Sequence, residues 1–130
     1  MPSAQAMIQK TTRCLIAATL LLAASGPALA AGDPAKGEAL YARCQGCHSI
    51  ERNRVGPMHR GLFGRQAGSV DGFSYSAAMK DSGIVWDETT LDDFLAHPRE
   101  TVPGTRMTYA GIADAQERAD LIAWLKQVTQ

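Results

Sequence analysis

Cys44-Gln45-Gly46-Cys47-His48 puts two thiols and an imidazole within five consecutive positions. Such a group can do three kinds of chemistry. The thiols can bond covalently to the vinyl groups of a haem while the imidazole binds its iron, they can cycle as a redox pair, or they can join His48 and a further ligand on zinc. The further zinc ligand would be His59 or His97. A zinc knuckle has no use for the second half of the chain, and a thioredoxin-like pair needs a βαβ pattern that the sequence lacks. The spacing therefore favours covalent haem attachment, with His48 on the iron.

The surrounding chain suits that chemistry. Lys10 and Arg13, an apolar run from Cys14 to Ala24, and Ala28-Leu29-Ala30 read as a secretory leader cleaved after Ala30. The run is well short of the roughly 20 apolar residues a membrane-spanning helix needs. Residues 1–30 are thus expected to be a leader and 31–130 a single domain exported to the periplasm, the side of the membrane on which haem is attached. Cys14 departs with the leader, leaving two cysteines too close together for a bridge to contribute much by loop closure. Of 13 basic and 13 acidic residues, Lys10 and Arg13 also depart, and the resulting acidic balance argues against a nucleic-acid binder.

Three principal helices are expected to position the cysteine motif, in an all-α fold. Asp33-Pro34 combines an N-cap side chain with proline at the first helical position, and the helix it opens is expected to close at the cysteine pair. Residues 49–86 show no sustained period and are expected to be irregular, with a short helix near Ala77. Thr89 with Asp92 resembles a capping box for a helix that buries Leu91, Phe94 and Leu95 and ends at His97-Pro98. Pro98 to Ile112 is expected to be a long loop. Asp114 and Glu117 open a last helix with Leu121, Trp124, Leu125 and Val128 on one face. Long loops in so small a domain point to a cofactor filling its middle.

An iron held by His48 has a sixth position, whose occupant decides whether the metal only changes oxidation state or also binds small ligands. The methionines beyond the leader are Met58, Met79 and Met107. Methionine also fills irregular core gaps, which is the plainer role for any of them.

At this point the chain resembles the class I c-type cytochromes, in the group of mitochondrial cytochrome c and bacterial cytochrome c2. The marks are Gly37 with Tyr41, Val55-Gly56-Pro57, Gly61-Leu62-Phe63-Gly64-Arg65, Gly72-Phe73-Ser74-Tyr75, Val85-Trp86, Pro103-Gly104-Thr105-Arg106-Met107, and Asp120-Leu121-Ile122-Ala123-Trp124-Leu125-Lys126. The resemblance runs through essentially all of residues 31–130. It implies one covalent haem c, with Met107 as the sixth ligand and Pro57 accepting a hydrogen bond from His48. It further implies that Arg65, Tyr75 and Trp86, with Thr105 nearby, receive a haem propionate. Gly37 is implied to lie where the first helix crosses the last, with Tyr41 near Trp124.

The resemblance also implies a non-enzymatic, monomeric one-electron carrier, not embedded in a membrane. It would dock electron donors and acceptors at an exposed haem edge, where Arg43, Arg99 and Arg106 match family positions and could steer acidic partners. Two other functions use the same motif: a haem enzyme or gas sensor, in which Met107 would be displaced, and a subunit permanently docked to a dehydrogenase.

Some positions depart from the family pattern. Phe94 stands where a tyrosine is usual, Met79 where an asparagine is usual, and His59 where a packing leucine is common. The first two changes remove polar groups beside the haem and are expected to alter its potential. The third calls close packing of that wall into question, and His59 and His97 read as structural or surface residues. Only Lys36, Lys80 and Lys126 remain beyond the leader, so a lysine-ligated alkaline form is not expected.

Overall fold

A computed structural model of the chain describes residues 30–130. The segment read as a secretory leader, Cys14 included, lies outside the described residues apart from Ala30. The elements are α1 (Pro34–Tyr41), α2 (Ala77–Asp81), α3 (Glu88–Ala96), α4 (Pro98–Thr101) and α5 (Ala115–Val128), with no named strand among the described residues. The fold is all-α, and α1, α3 and α5 are its principal helices. Among the described residues no helix is long and apolar enough to cross a membrane.

The start of α1 follows from its first two residues. The Asp33 carboxylate accepts the Ala35 N–H at 3.0 Å, and Pro34 sits in the first turn, where it has no hydrogen-bonding duty. α1 lies against α5. A Cβ on Gly37 would fall 2.7 Å from both the Asp120 carbonyl carbon and the Trp124 Cβ, so the two backbones meet where only glycine fits. The Asp33 N–H reaches across to Asp120 Oδ1 at 2.8 Å, and Tyr41 packs on Trp124 with ring centroids 4.6 Å apart.

α1 ends at Tyr41, so the cysteine pair does not close the helix as expected. It lies in a run of turns beyond it, where Cys44 N–H bonds to Tyr41 O at 2.8 Å and His48 N–H to Cys44 O at 2.9 Å. These tight turns keep Cys44, Cys47 and His48 together.

α3 begins at a different cap from the one expected. Asp87 is the N-cap: its carboxylate accepts the Thr90 N–H at 2.8 Å, while Thr90 Oγ1 accepts the Asp87 N–H at 2.9 Å. A threonine hydroxyl thus takes the role usually given to a glutamate at that position, which is why Thr89 with Asp92 is the better match to the usual pattern. Asp92 instead accepts from Arg118 of α5 at 2.7 and 3.3 Å, tying the two helices together. Leu91, Phe94 and Leu95 are buried as expected.

The stretch after His97 is not all loop. Pro98 opens α4, closed by Val102 N–H on Pro98 O at 3.0 Å, because the fixed proline φ favours one helical turn even where a longer helix stops. α5 is capped at Asp114, whose carboxylate accepts the Glu117 N–H at 2.8 Å, and it buries Leu121, Ile122 and Leu125. Residues 49–86 are irregular apart from α2 and an isolated antiparallel bridge between Gln66 and Val85. Around that bridge Gly64 N–H meets Trp86 O at 2.7 Å and Trp86 N–H meets Arg65 O at 2.9 Å, which sets Arg65 beside Trp86.

Candidate haem-binding site

A cavity of about 370 Å³ lies at the centre of this arrangement, and Cys44, Cys47, His48 and Met107 all line it. Much of its wall is apolar: Leu62, Trp86, Leu91, Phe94, Leu95, Leu121 and Leu125 come from the loops and from α3 and α5. Each of these side chains is less than a tenth exposed, so the hydrophobic core of the protein is built around the cavity.

His48 is held at its ring. Its Nδ1 lies 2.9 Å from the Pro57 carbonyl oxygen, so Nδ1 carries the proton and donates, leaving the Nε2 lone pair for a metal. Burial lowers the pKa of His48, partly offset by the Pro57 bond, and favours the neutral form a metal requires. Gly56 packs over the imidazole. A Cβ there would come against Cε1, 2.6 Å from Nδ1 and 2.7 Å from Nε2, a position over the ring face rather than beyond its edge. In the sequence Gly56 stands out only within the family-like run Val55-Gly56-Pro57. A glycine directly before Pro57 is the available signal of a close approach.

His59 stacks on His48 with ring centroids 4.3 Å apart and planes 22° from parallel. Its Nδ1 lies 3.0 Å from the Tyr41 hydroxyl. Desolvation, reinforced by His48 and Arg65, pushes the His59 pKa down to about 3, so the ring is neutral. The wall is therefore closely packed here, and the His59 imidazole itself does the packing. His97 only links α3 to α4.

Cys44 does not resemble an activated thiol. Cys44 is half-buried and its pKa is raised by burial, with Arg43 pulling it back and Cys47 adding to the rise. A catalytic thiol needs the opposite shift, toward thiolate. Among the described residues no group of three or more His, Cys, Asp or Glu side chains could hold a metal ion.

Arg65, Tyr75, Trp86 and Thr105 line the same cavity. The Arg65 guanidinium donates to Arg60 O at 2.7 Å and Met58 O at 3.0 Å, and burial lowers its pKa. It takes part in none of the ion pairs among the described residues. A half-buried cation fixed by neutral carbonyls is a natural partner for an anionic group entering the cavity. The Tyr75 hydroxyl accepts the Val70 N–H at 3.3 Å, and burial raises its pKa. Thr105 Oγ1 accepts the Met107 N–H at 3.3 Å, stiffening the loop that carries the sulfur. Met79 also lines the cavity, whereas Met58 does not.

Arg43, Arg99 and Arg106 differ in their surroundings. Arg43 forms a two-point ion pair with Glu117 at 2.8 and 3.2 Å, which compensates its charge. Arg106 donates to Ser74 O at 3.2 Å, and Arg99 lies 3.5 Å from Thr108 O. Arg43 and Arg106 reach the cavity rim, and Arg99 does not.

Paired thiols, an imidazole with a free Nε2, a thioether, apolar walls and an unpaired guanidinium are the donor set and lining that a covalent haem with its carboxylates requires. Relatives point the same way. The family model for cytochrome c matches residues 34–129. The chain is 45% identical over 118 residues to cytochrome c2 of Blastochloris viridis, covering 88% of this chain and 93% of the relative. It is 46% identical over 114 residues to cytochrome c2 of Rhodomicrobium vannielii, covering 85% and 90%. The solved structure of cytochrome cH from Methylobacterium extorquens superposes with a TM-score of 0.72 at 45% identity, over 74% of this chain and 99% of the other. On this agreement of sequence, fold and site the chain belongs to the class I c-type cytochromes, in the cytochrome c and c2 group, electron carriers rather than enzymes, each with one covalently attached haem c.

Proposed function

We propose that this chain is an exported, diffusible carrier that passes single electrons between larger redox proteins in the periplasm. Its haem is joined to Cys44 and Cys47, and its iron is held by His48 Nε2 and the Met107 sulfur. The observation that carries this reading is the state of His48: Nδ1 is committed to Pro57 O, and Nε2 is left to a cavity that Met107 and both thiols share.

When bound, the haem supplies a one-electron couple. The residues of the chain make that couple usable. A thioether on iron favours the ferrous state and raises the potential, and a pocket with both axial positions filled admits no substrate. The apolar wall excludes water, so little solvent has to reorganise when charge moves. Arg65, Tyr75 and Trp86, with Thr105 close by, receive a propionate that would be costly to bury without partners.

Partners dock where the pocket opens. Exposed Cys47, Arg43 and Arg106 all line the pocket, and Arg99 is outside its lining. These arginines steer acidic partner surfaces even though the chain as a whole is not basic. Residues 1–30 act as the cleaved leader, 31–130 form the haem domain, and the carrier works as a monomer. Carbon monoxide tests the reading. The native reduced protein should resist it because Met107 occupies the sixth position, and rapid binding would reject a carrier in favour of a gas-binding or enzymatic haem.

A further inference from the structure

We propose that His59 is a positioning residue for the axial ligand: stacked on His48 and held by the Tyr41 hydroxyl, it fixes the plane of the His48 ring at the iron. This rests on the reading of His48 as a ligand.

A hydrogen bond at Nδ1 anchors one atom of the His48 ring. The 2.9 Å bond to Pro57 O leaves the imidazole free to swing about the line joining the two atoms. A flat partner lying 4.3 Å away and 22° from parallel removes that freedom, because any swing drives one edge of His48 into the neighbouring ring. Gly56 limits movement toward its own side, where no Cβ could be tolerated. A leucine could fill the volume of His59 but has no plane to impose.

His59 can serve in this way only if it is fixed itself. Its Nδ1 has the Tyr41 hydroxyl at 3.0 Å. Burial pushes the Tyr41 pKa up to about 12, so the phenol keeps its proton. No other acceptor for that proton is found among the described residues, so Tyr41 donates and the His59 Nδ1 accepts. Tyr41 in turn packs edge-on to His59, centroids 5.7 Å apart, and on Trp124 of α5 at 4.6 Å. A continuous line of rings thus runs from the α1–α5 crossing to the iron ligand. A buried polar ring would be a net cost if it only filled space, and the hydrogen bond to Tyr41 offsets that cost.

The plane of an axial imidazole decides which iron d orbital of π symmetry its own π system overlaps. A fixed plane therefore gives a single, well-defined anisotropy in the ferric state and contributes to the potential.

The test uses the full chain with haem attached, in four forms: wild type, His59→Leu, His59→Phe and Tyr41→Phe. The readouts are the ferric electron-paramagnetic-resonance g values, the haem-methyl NMR shifts and the midpoint potential. His59→Leu should keep low-spin ligation but change the g values, spread the methyl pattern differently and shift the midpoint. His59→Phe should stay closer to wild type because it keeps a flat ring. Tyr41→Phe, which removes only the hydroxyl, should fall between, and it carries the test by itself if His59→Leu does not accumulate. Unchanged g values and methyl shifts in Tyr41→Phe would overturn the proposal, and so would a His59→Phe protein no closer to wild type than the His59→Leu protein. Failure of the axial reading is distinguishable, because wild type itself would then lack a low-spin His/Met spectrum.

Discussion

Gly37 and Asp120 meet backbone to backbone: a Cβ on Gly37 would lie 2.7 Å from the Asp120 carbonyl carbon. Neither partner is the flexible end of a side chain, so alanine at 37 must push α1 off α5. Overpacking of this kind costs about 3 kcal/mol, against about 1 kcal/mol gained from helix propensity. Gly37→Ala should therefore lose about 2 kcal/mol in guanidinium unfolding of the haem-loaded protein. A neutral or stabilising result would mean that the two backbones do not meet this closely.

Gly56→Ala acts on the ligand rather than on the scaffold. The new methyl would overlap the face of His48, near Nδ1 and Nε2, and the imidazole must tilt or leave. The expected outcome is a mixture of low-spin and high-spin iron in the absorption spectrum. A purely low-spin spectrum identical to wild type would contradict it.

The capped starts of α1 and α5, the buried Leu91-Phe94-Leu95 face and a close backbone approach at Gly37 are legible in the residues, because each depends on local side-chain chemistry or on a glycine where alanine would be better, whereas α5 as the partner of Gly37 follows only from the family resemblance. The capping box of α3 is not, because Asp87 with Thr90 closes through a hydroxyl that no simple acidic pattern reveals. The single turn of α4 reads as loop because one turn is too short to show periodicity. Within the site, Cys44, Cys47 and His48 declare themselves by spacing. The stack of His59 on His48 and the Arg43–Glu117 pair depend on residues well apart in the chain, and only folding brings those together.

Asp120 gives a pH dependence with a definite sign. Its carboxylate accepts from Asp33 N–H at 2.8 Å and from Gln116 Nε2 at 3.0 Å, and these bonds lower its pKa below the usual carboxylate value. A depressed folded pKa means that the stabilisation is present above the unfolded value, about 3.9, and is lost as pH falls through the folded one. Asp120→Asn should thus be less stable than wild type near neutrality, with the gap closing in acid. A gap that stays constant from neutral pH down to strong acid would show that the charge plays no part.

Arg65 is the half-buried cation of the site. Arg65→Gln removes charge-assisted bonds to Met58 O and Arg60 O, a loss of about 2 kcal/mol. It should also lower the midpoint potential, because a positive charge near iron favours the reduced state. An unchanged or raised midpoint would contradict the placement of that charge beside the haem.

The rim arginines should not contribute equally to docking. Arg43 is already compensated by Glu117, whereas Arg106 meets only a carbonyl. Arg106→Gln should slow reduction by an acidic partner more than Arg43→Gln does, and raising ionic strength should shrink the difference. A flat salt dependence of the wild-type rate would reject electrostatic steering altogether.

If His48 and Met107 together hold the iron of a covalent haem, absorption spectra will show it. The haem-loaded protein and its Met107→Ala variant would be recorded oxidised and then reduced. The reduced wild type should show sharp low-spin bands, and the oxidised wild type a sulfur-to-iron charge-transfer band that disappears in the variant. A high-spin wild-type spectrum unchanged by the substitution would contradict it, and so would a charge-transfer band that survives in the variant, which would assign the sulfur to Met79.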